Sequence, residues 1–255
     1  MFIRNERSIK EFMQYYPIVF TVVVINLFLW LIRNLLGLQI GWDIYQWGIG
    51  SNFLIEMGEY WRLVTPIFLH ADLMHVLFNS FSLVLFGPAL EQMLGKYKFL
   101  LAYLGTGIIA NIATYFLEPL SYVHLGASGA VFGLFGIYAF MAFFRKSLID
   151  HGSSQIVITI LGISLLMTFM RSNINVYAHL FGLIGGLAIA PLILSKVEPY
   201  SPWRNIRRSR YKEDDSIQFD PNRWNNKRRI PTALRKNIFW IILGILVIFG
   251  LLSRL

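Results

Sequence analysis

The sequence predicts an all-α polytopic membrane protein, with a core of six helices followed by one C-terminal transmembrane helix. Of its 255 residues, 56% are hydrophobic and only 15% are charged, and the mean hydropathy is +0.55. This composition is typical of integral membrane proteins and unlike that of soluble domains. Seven apolar stretches approach the roughly 20 residues that a helix needs to cross a bilayer, and the basic residues between them concentrate in alternate connections.

The seven apolar stretches define the predicted helices in chain order. They cover residues 17–36, 72–90, 97–117, 128–144, 155–170, 175–194 and 237–252. The first is too long for a typical signal peptide and is expected to remain as an anchor. The second is the most polar, which is tolerated when other helices surround it. We therefore divide the chain into an N-terminal segment (1–16), a six-span core (17–195), a basic linker (196–236) and a seventh transmembrane helix (237–255).

The distribution of basic residues predicts the orientation. Nineteen Lys and Arg fall in the N-terminal segment, in the loops after the second and fourth spans, and in the linker, whereas four fall elsewhere. Since basic residues accumulate on the cytoplasmic side, the N-terminus is expected in the cytoplasm and the C-terminus outside. With no transit-peptide pattern apparent, we expect a bacterial cell membrane.

Two segments outside the spans have distinctive compositions. The loop 37–71 is rich in Trp and Tyr, which favour the headgroup region, so we expect it to lie partly in the membrane interface. The linker 196–236 carries twelve basic and five acidic residues. Since no nucleic-acid recognition motif accompanies these charges, contact with anionic lipid is the expected role, and nucleic acid is not an expected partner. The chain has no Cys, which excludes disulfides and thiolate metal sites.

Four polar residues are expected in one shallow layer near the outer ends of the even-numbered spans. They are His75, Asn79, Ser128 and His179. Asp72 is a suitable N-cap for the second span and Asn175 for the sixth, which places the polar residues within about 10 Å of the helix starts at 1.5 Å per residue. An ionisable side chain inside a bilayer is costly, so this layer is interpreted as functional.

Each of these residues suits a role in peptide-bond hydrolysis. Ser128 is a weak nucleophile until a base removes its proton, and His179 is the candidate base. The unpaired N–H groups at the start of the fourth span suit an oxyanion. His75 and Asn79 are four residues apart, so they share a helix face and can donate to the same developing charge.

Small residues are expected to bring the fourth and sixth spans into close contact. They are Gly129, Gly133 and Gly136 on the fourth span, and Ala178, Gly182, Gly186 and Ala190 on the sixth. Such spacing lets helix backbones approach closely in lipid, so that Ser128 and His179 can reach hydrogen-bond distance.

Other interpretations of the same residues remain open. A Ser between glycines and a stripe of small residues are usually packing features. Three of the five His could converge on zinc, although there is no His-Glu-x-x-His motif and we expect no metal or cofactor. His70 and His124 are expected to be structural, and His151 solvated. A transporter would place its polar residues near the bilayer midplane.

The region from Trp61 to Gly186 resembles the rhomboid intramembrane serine proteases. The similar motifs are Trp61-Arg62, His70-x4-His75-x3-Asn79, Gly126-Ala127-Ser128-Gly129 and Ala178-His179-x2-Gly182-x3-Gly186. The resemblance implies a six-helix core, a Ser128–His179 dyad without a third acid, and an oxyanion hole made by His75, Asn79 and the Ser128 backbone N–H.

The same resemblance implies a class of substrates, and the sequence departs from the family pattern at one position. The implied substrates are single-pass or other membrane proteins, cut in or near a transmembrane segment close to the outer face, with small residues before the cut and helix-breaking residues nearby. Some family members have a Tyr stacked on the catalytic His where this chain has Phe132, which keeps the ring and loses the hydroxyl. Inactive relatives lack the Ser or the His, and both are present here.

Overall fold

The computed structural model describes residues 1–2, 4–171 and 174–205. The predicted seventh helix and most of the basic linker lie outside this range. The described chain is largely helical, in agreement with the predicted all-α class, and it includes one short antiparallel pair of strands in which Gly50 lies opposite His124.

The elements follow one another with short connections. In chain order they are α1 (Ile9–Tyr15), α2 (Pro17–Trp30, continued by a π-helical turn Leu31–Leu35), α3 (Gln39–Gly48), β1 (Gly50–Ser51), α4 (Asn52–Glu56), 3₁₀ turns Tyr60–Leu63 and Thr65–Phe68, α5 (Leu73–Leu94), α6 (Lys96–Leu117), β2 (Val123–His124), α7 (Ser128–Phe144), a 3₁₀ turn Lys146–Leu148, α8 (His151–Met170) and α9 (Val176–Ile193).

The helices that are long and apolar enough to cross a membrane, within the described residues, are α2 with its continuation, α5, α6, α8 and α9. The remaining span of the predicted six-span core, α7, is shorter at 17 residues, and most of its side chains are buried among the neighbouring helices. Because protein and not lipid surrounds α7, a polar residue at its start is tolerated.

Two of the helix starts were predicted from their capping residues. The Asp72 carboxylate accepts a hydrogen bond from the His75 backbone N–H at 2.9 Å, and α5 begins at Leu73. The Asn175 side-chain oxygen accepts from the Ala178 N–H at 2.9 Å, and α9 begins at Val176. Both side chains satisfy N–H groups that have no partner within the helix.

A buried carboxylate joins α2 to α5. Glu91, on α5, accepts hydrogen bonds from the backbone N–H groups of Ile18 and Val19 at 2.9 Å each. These are the first donors of α2, which opens with Pro17. A negative group here satisfies unpaired donors and complements the positive end of the helix dipole.

Hydrogen bonds join separate parts of the long loop 37–71, which includes α3, and connect this loop to the segment before α7. The buried Arg62 side chain donates to the backbone oxygens of Gln46 at 2.8 Å and Ile49 at 2.7 Å, and it pairs with Glu59 at 2.6 Å. Farther along, the Pro66 carbonyl accepts a hydrogen bond from Gly126 N–H at 2.9 Å. The loop therefore helps to fix the segment that leads into Ser128.

Glycines allow α7 and α9 to pack with their backbones in contact, as their spacing predicted. A Cβ atom on Gly182 would overlap the carbonyl oxygen of Gly129, and one on Gly186 would overlap that of Gly133. Because these neighbours are backbone atoms, they cannot move aside as a flexible side chain could.

Candidate active site

Ser128 is the first residue of α7 and is partly exposed. Gly126, two residues earlier, has φ +127°, a conformation that favours glycine. Among the described residues, no side chain caps this helix end. The first N–H groups of α7 are therefore placed to bind an anion beside Ser128.

His179 lies in the first turn of α9 with its side chain buried against α7. Its imidazole stacks on the Phe132 ring, with ring centroids 4.2 Å apart and planes inclined by 17°. Phe132 follows Ser128 by four residues and so lies on the same face of α7, one turn deeper. The imidazole therefore packs on the part of α7 that presents Ser128.

Backbone contact brings the two helix starts together. Gly129, next to Ser128, lies against Gly182 and Ala178 of α9. The hydrogen bond that the described structure shows for the His179 side chain joins it to Thr168 and not to Ser128. A Ser128–His179 hydrogen bond therefore stays a prediction, and such bonds are often long until substrate binds.

Thr168 contacts the His179 side chain, and the sequence did not indicate it as part of the site. It lies near the end of α8, its side chain is buried, and its Oγ1 is 2.7 Å from His179 Nδ1. The sequence signal was weak, since a single Thr in an apolar span is common and only the fold places it beside His179.

His75 and Asn79 lie on one face of α5, next to the segment that precedes Ser128. A Cβ on Gly126 would lie 2.5 Å from His75 Nε2, so the ring occupies the space that this glycine leaves. The buried Asn79 amide donates one N–H to the His75 carbonyl at 3.0 Å, which leaves its second N–H for another acceptor.

His70 and His124 surround this region, where structural roles were expected. The His70 and His75 rings meet edge to face with centroids 5.0 Å apart, and the Ala127 N–H points to His70 Nε2 at 3.4 Å. Burial, reinforced by His75, lowers the pKa of His70 to about 3. Burial lowers the pKa of His124 to about 4. Both are therefore neutral at pH 7.

In the described part of the chain, no three His, Asp or Glu side chains are grouped as they would be to hold a metal ion. The four candidate site residues offer one hydroxyl, two imidazoles and one amide near the start of α7. Such groups can supply a nucleophile, a base and hydrogen-bond donors.

Comparisons with known proteins identify the family to which this chain belongs. Residues 57–196 match the family model described as Rhomboid domain. The chain is 50% identical over 201 residues to the rhomboid homologue YdcA of Bacillus subtilis (strain 168), covering 78% of this chain and 98% of YdcA. It is 41% identical over 154 residues to Rhomboid protease GluP of the same organism, covering 60% of this chain and 30% of GluP.

A eukaryotic relative shows the same similarity at lower identity. Rhomboid-like protease 2 of Toxoplasma gondii is 32% identical over 142 residues, covering 54% of this chain and 50% of that protein. The chain thus spans nearly all of YdcA but half or less of the other two. All the candidate site residues lie inside the matched region 57–196. The chain therefore belongs to the rhomboid family of integral membrane proteins.

Proposed function

We propose that this protein is an intramembrane serine endopeptidase, which uses Ser128 and His179 to cleave transmembrane segments of other membrane proteins near the outer membrane face. Its rhomboid homologues support a protease that acts within the bilayer. The observation that carries the assignment of residues is the stack of His179 on Phe132, which places a buried imidazole one turn from Ser128 at the start of α7.

The proposed reaction divides hydrolysis into two steps. His179 takes the proton from the Ser128 hydroxyl as its oxygen attacks the scissile carbonyl carbon. The protonated imidazole then gives that proton to the departing amine, and an ester joins the substrate to Ser128. In the second step His179 takes a proton from water, the hydroxide attacks the ester, and the proton returns to Ser128.

We assign the stabilisation of the negative oxygen in each step to three groups. The Ser128 N–H is one of the unpaired donors of α7. The second is an N–H of His75, beside Gly126, and the third is the Asn79 N–H that does not bind the His75 carbonyl. Donors fixed in advance in a buried site are effective because no solvent has to reorganise during the reaction.

The exposure of these residues supports access for substrate and water. Ser128 and His75 are partly exposed, whereas Asn79 and His179 are buried behind them. A substrate helix must unwind locally, since its carbonyls are already hydrogen-bonded. This favours cleavage at segments with small or helix-breaking residues, in line with the preference that the family resemblance implies.

The test is cleavage of a single-span substrate by purified protein in detergent. Ser128→Ala and His179→Ala should each abolish nearly all cleavage, and the double variant should be no worse, because the two residues act as a unit. Ser195→Ala and His151→Ala are matched controls at exposed positions and should cleave normally. Full activity in either folded site variant would overturn the proposal, as would a folded wild-type protein that binds but never cuts substrate.

A further inference from the structure

The contact between Thr168 and His179 indicates which nitrogen of the His179 imidazole carries the proton. Thr168 lies on the narrow face that α8 buries, together with Ser153, Val157 and Leu161. Its hydroxyl therefore points into the protein. There Oγ1 has two neighbours within hydrogen-bond distance, His179 Nδ1 at 2.7 Å and the Ser164 carbonyl oxygen at 2.8 Å.

The single proton of the Thr168 hydroxyl limits how its contacts with Ser164 and His179 can both be hydrogen bonds. The Thr168 hydroxyl has one proton, and the Ser164 carbonyl can only accept. The hydroxyl must therefore donate to Ser164 and accept from His179. Acceptance from His179 requires a proton on Nδ1, which leaves Nε2 of the neutral imidazole without a proton.

We propose that Thr168 is a positioning residue that selects the Nδ1–H tautomer of His179 and so keeps Nε2 free to act as the base toward Ser128. This role rests on the proposed function. In dyads and triads alike, the base must present its lone pair to the nucleophile, and a partner on the other nitrogen ensures this. Here that partner is a neutral hydroxyl.

Thr168 and Phe132 restrain the same ring in complementary ways. Stacking on Phe132 holds the plane of the imidazole, but it does not distinguish one ring nitrogen from the other. The hydrogen bond to Thr168 supplies that distinction. Removal of the hydroxyl should therefore disturb the tautomer and the ring orientation while the stacking partner is still present.

The test combines kinetics with ¹⁵N NMR of histidine-labelled full-length protein in detergent, at about pH 8, where an ordinary imidazole is neutral. The His179 signals are identified by their loss in His179→Ala. Thr168→Val removes the hydroxyl at nearly constant shape, and Thr168→Ser retains it. Thr106→Val is the matched control, because the hydroxyl of the buried Thr106 also donates to the carbonyl four residues earlier, and its hydrogen bonds among the described residues go to backbone carbonyls.

In the wild type and in Thr168→Ser, His179 should show a protonated Nδ1 and an unprotonated Nε2. Thr168→Val should show a mixture of tautomers and a kcat lower by about 10-fold, the size of one buried hydrogen bond, with little change in KM. Thr106→Val should keep the wild-type tautomer and kcat.

A wild-type spectrum with the proton on Nε2 would overturn the proposal without any variant. So would an unchanged tautomer and kcat in Thr168→Val, or an equal loss of kcat in Thr106→Val. The NMR result does not depend on proteolysis. A wild-type protein that shows the Nδ1–H tautomer but cuts no substrate would contradict the proposed function and not the selection of the tautomer.

Discussion

The Phe132 ring stacks on the His179 imidazole, with ring centroids 4.2 Å apart and ring planes inclined by 17°. The stack forms although Phe132 lacks the hydroxyl of the tyrosine that some family members have at this position. The contact joins the helix that begins with Ser128 to the helix that carries His179. The proposed chemistry therefore depends on how closely α7 and α9 pack.

Gly182→Ala should disrupt this packing, because the new Cβ would overlap the backbone oxygen of Gly129. We expect a loss of about 1–3 kcal/mol in stability, as for other overpacked sites, together with slower cleavage. Gly105→Ala is the matched control, since nothing lies within 4 Å of its Cβ and alanine favours the helix. Thermal midpoints and cleavage rates of the two variants should differ clearly; equal values would show that the α7–α9 contact is not critical.

Local features of the site were predictable from the sequence, and long-range ones were not. Asp72 and Asn175 were identified because an N-cap is recognised within four residues, and the glycines of α7 and α9 because their spacing repeats. The bonds from Thr168 to His179 and from Glu91 to α2 join separate elements, and their partners are set by how the helices pack. The assignments of the seventh span and the linker fall largely outside the described residues.

Asn79→Ala tests the proposed oxyanion donor. Loss of one such donor typically slows catalysis by about 10²–10³-fold, so we expect residual cleavage of that order with unchanged KM. Asn34→Ala is the control, since Asn34 also donates to the carbonyl four residues earlier, on an exposed helix end. A normal rate for Asn79→Ala would exclude Asn79 from the oxyanion hole.

His124 should make the fold sensitive to acid. Its ring is packed against Gly50, and burial lowers its pKa to about 4, whereas the unfolded chain should titrate near pH 6.5. The unfolded state binds more protons than the folded state between these two pH values. The contribution of neutral His124 to the free energy of unfolding is therefore complete above pH 6.5 and is lost as the pH falls toward 4. Acidification from pH 7 to pH 5 should lower the free energy of unfolding by about 2 kcal/mol through protonation of His124.

The measurement is the thermal midpoint of purified protein at pH 7 and pH 5. His124→Phe keeps a ring without a titrating group, so its midpoint should fall less than that of the wild type. His151→Phe, at an exposed position, should keep the wild-type response. If His124→Phe and the wild type lose the same amount, protonation of His124 does not contribute to acid instability.

The orientation inferred from the basic residues can be tested with single cysteines, since the natural chain has none. Met57 and His151 are both exposed, in the loop 37–71 and at the start of α8. On intact cells, a membrane-impermeant thiol reagent should label Met57→Cys, and His151→Cys should react only after permeabilisation. The reverse pattern would mean that the orientation is inverted and that cleavage occurs near the cytoplasmic face.

The most direct test of the account is labelling with a serine-reactive fluorophosphonate, followed by mass spectrometry to identify the modified residue. We expect the wild type to be modified at Ser128, and the folded His179→Ala protein to react far more slowly, although Ser128 is still present. His151→Ala should label as the wild type does. Modification at another residue, or equally fast labelling of Ser128 without His179, would contradict the claim that His179 activates Ser128.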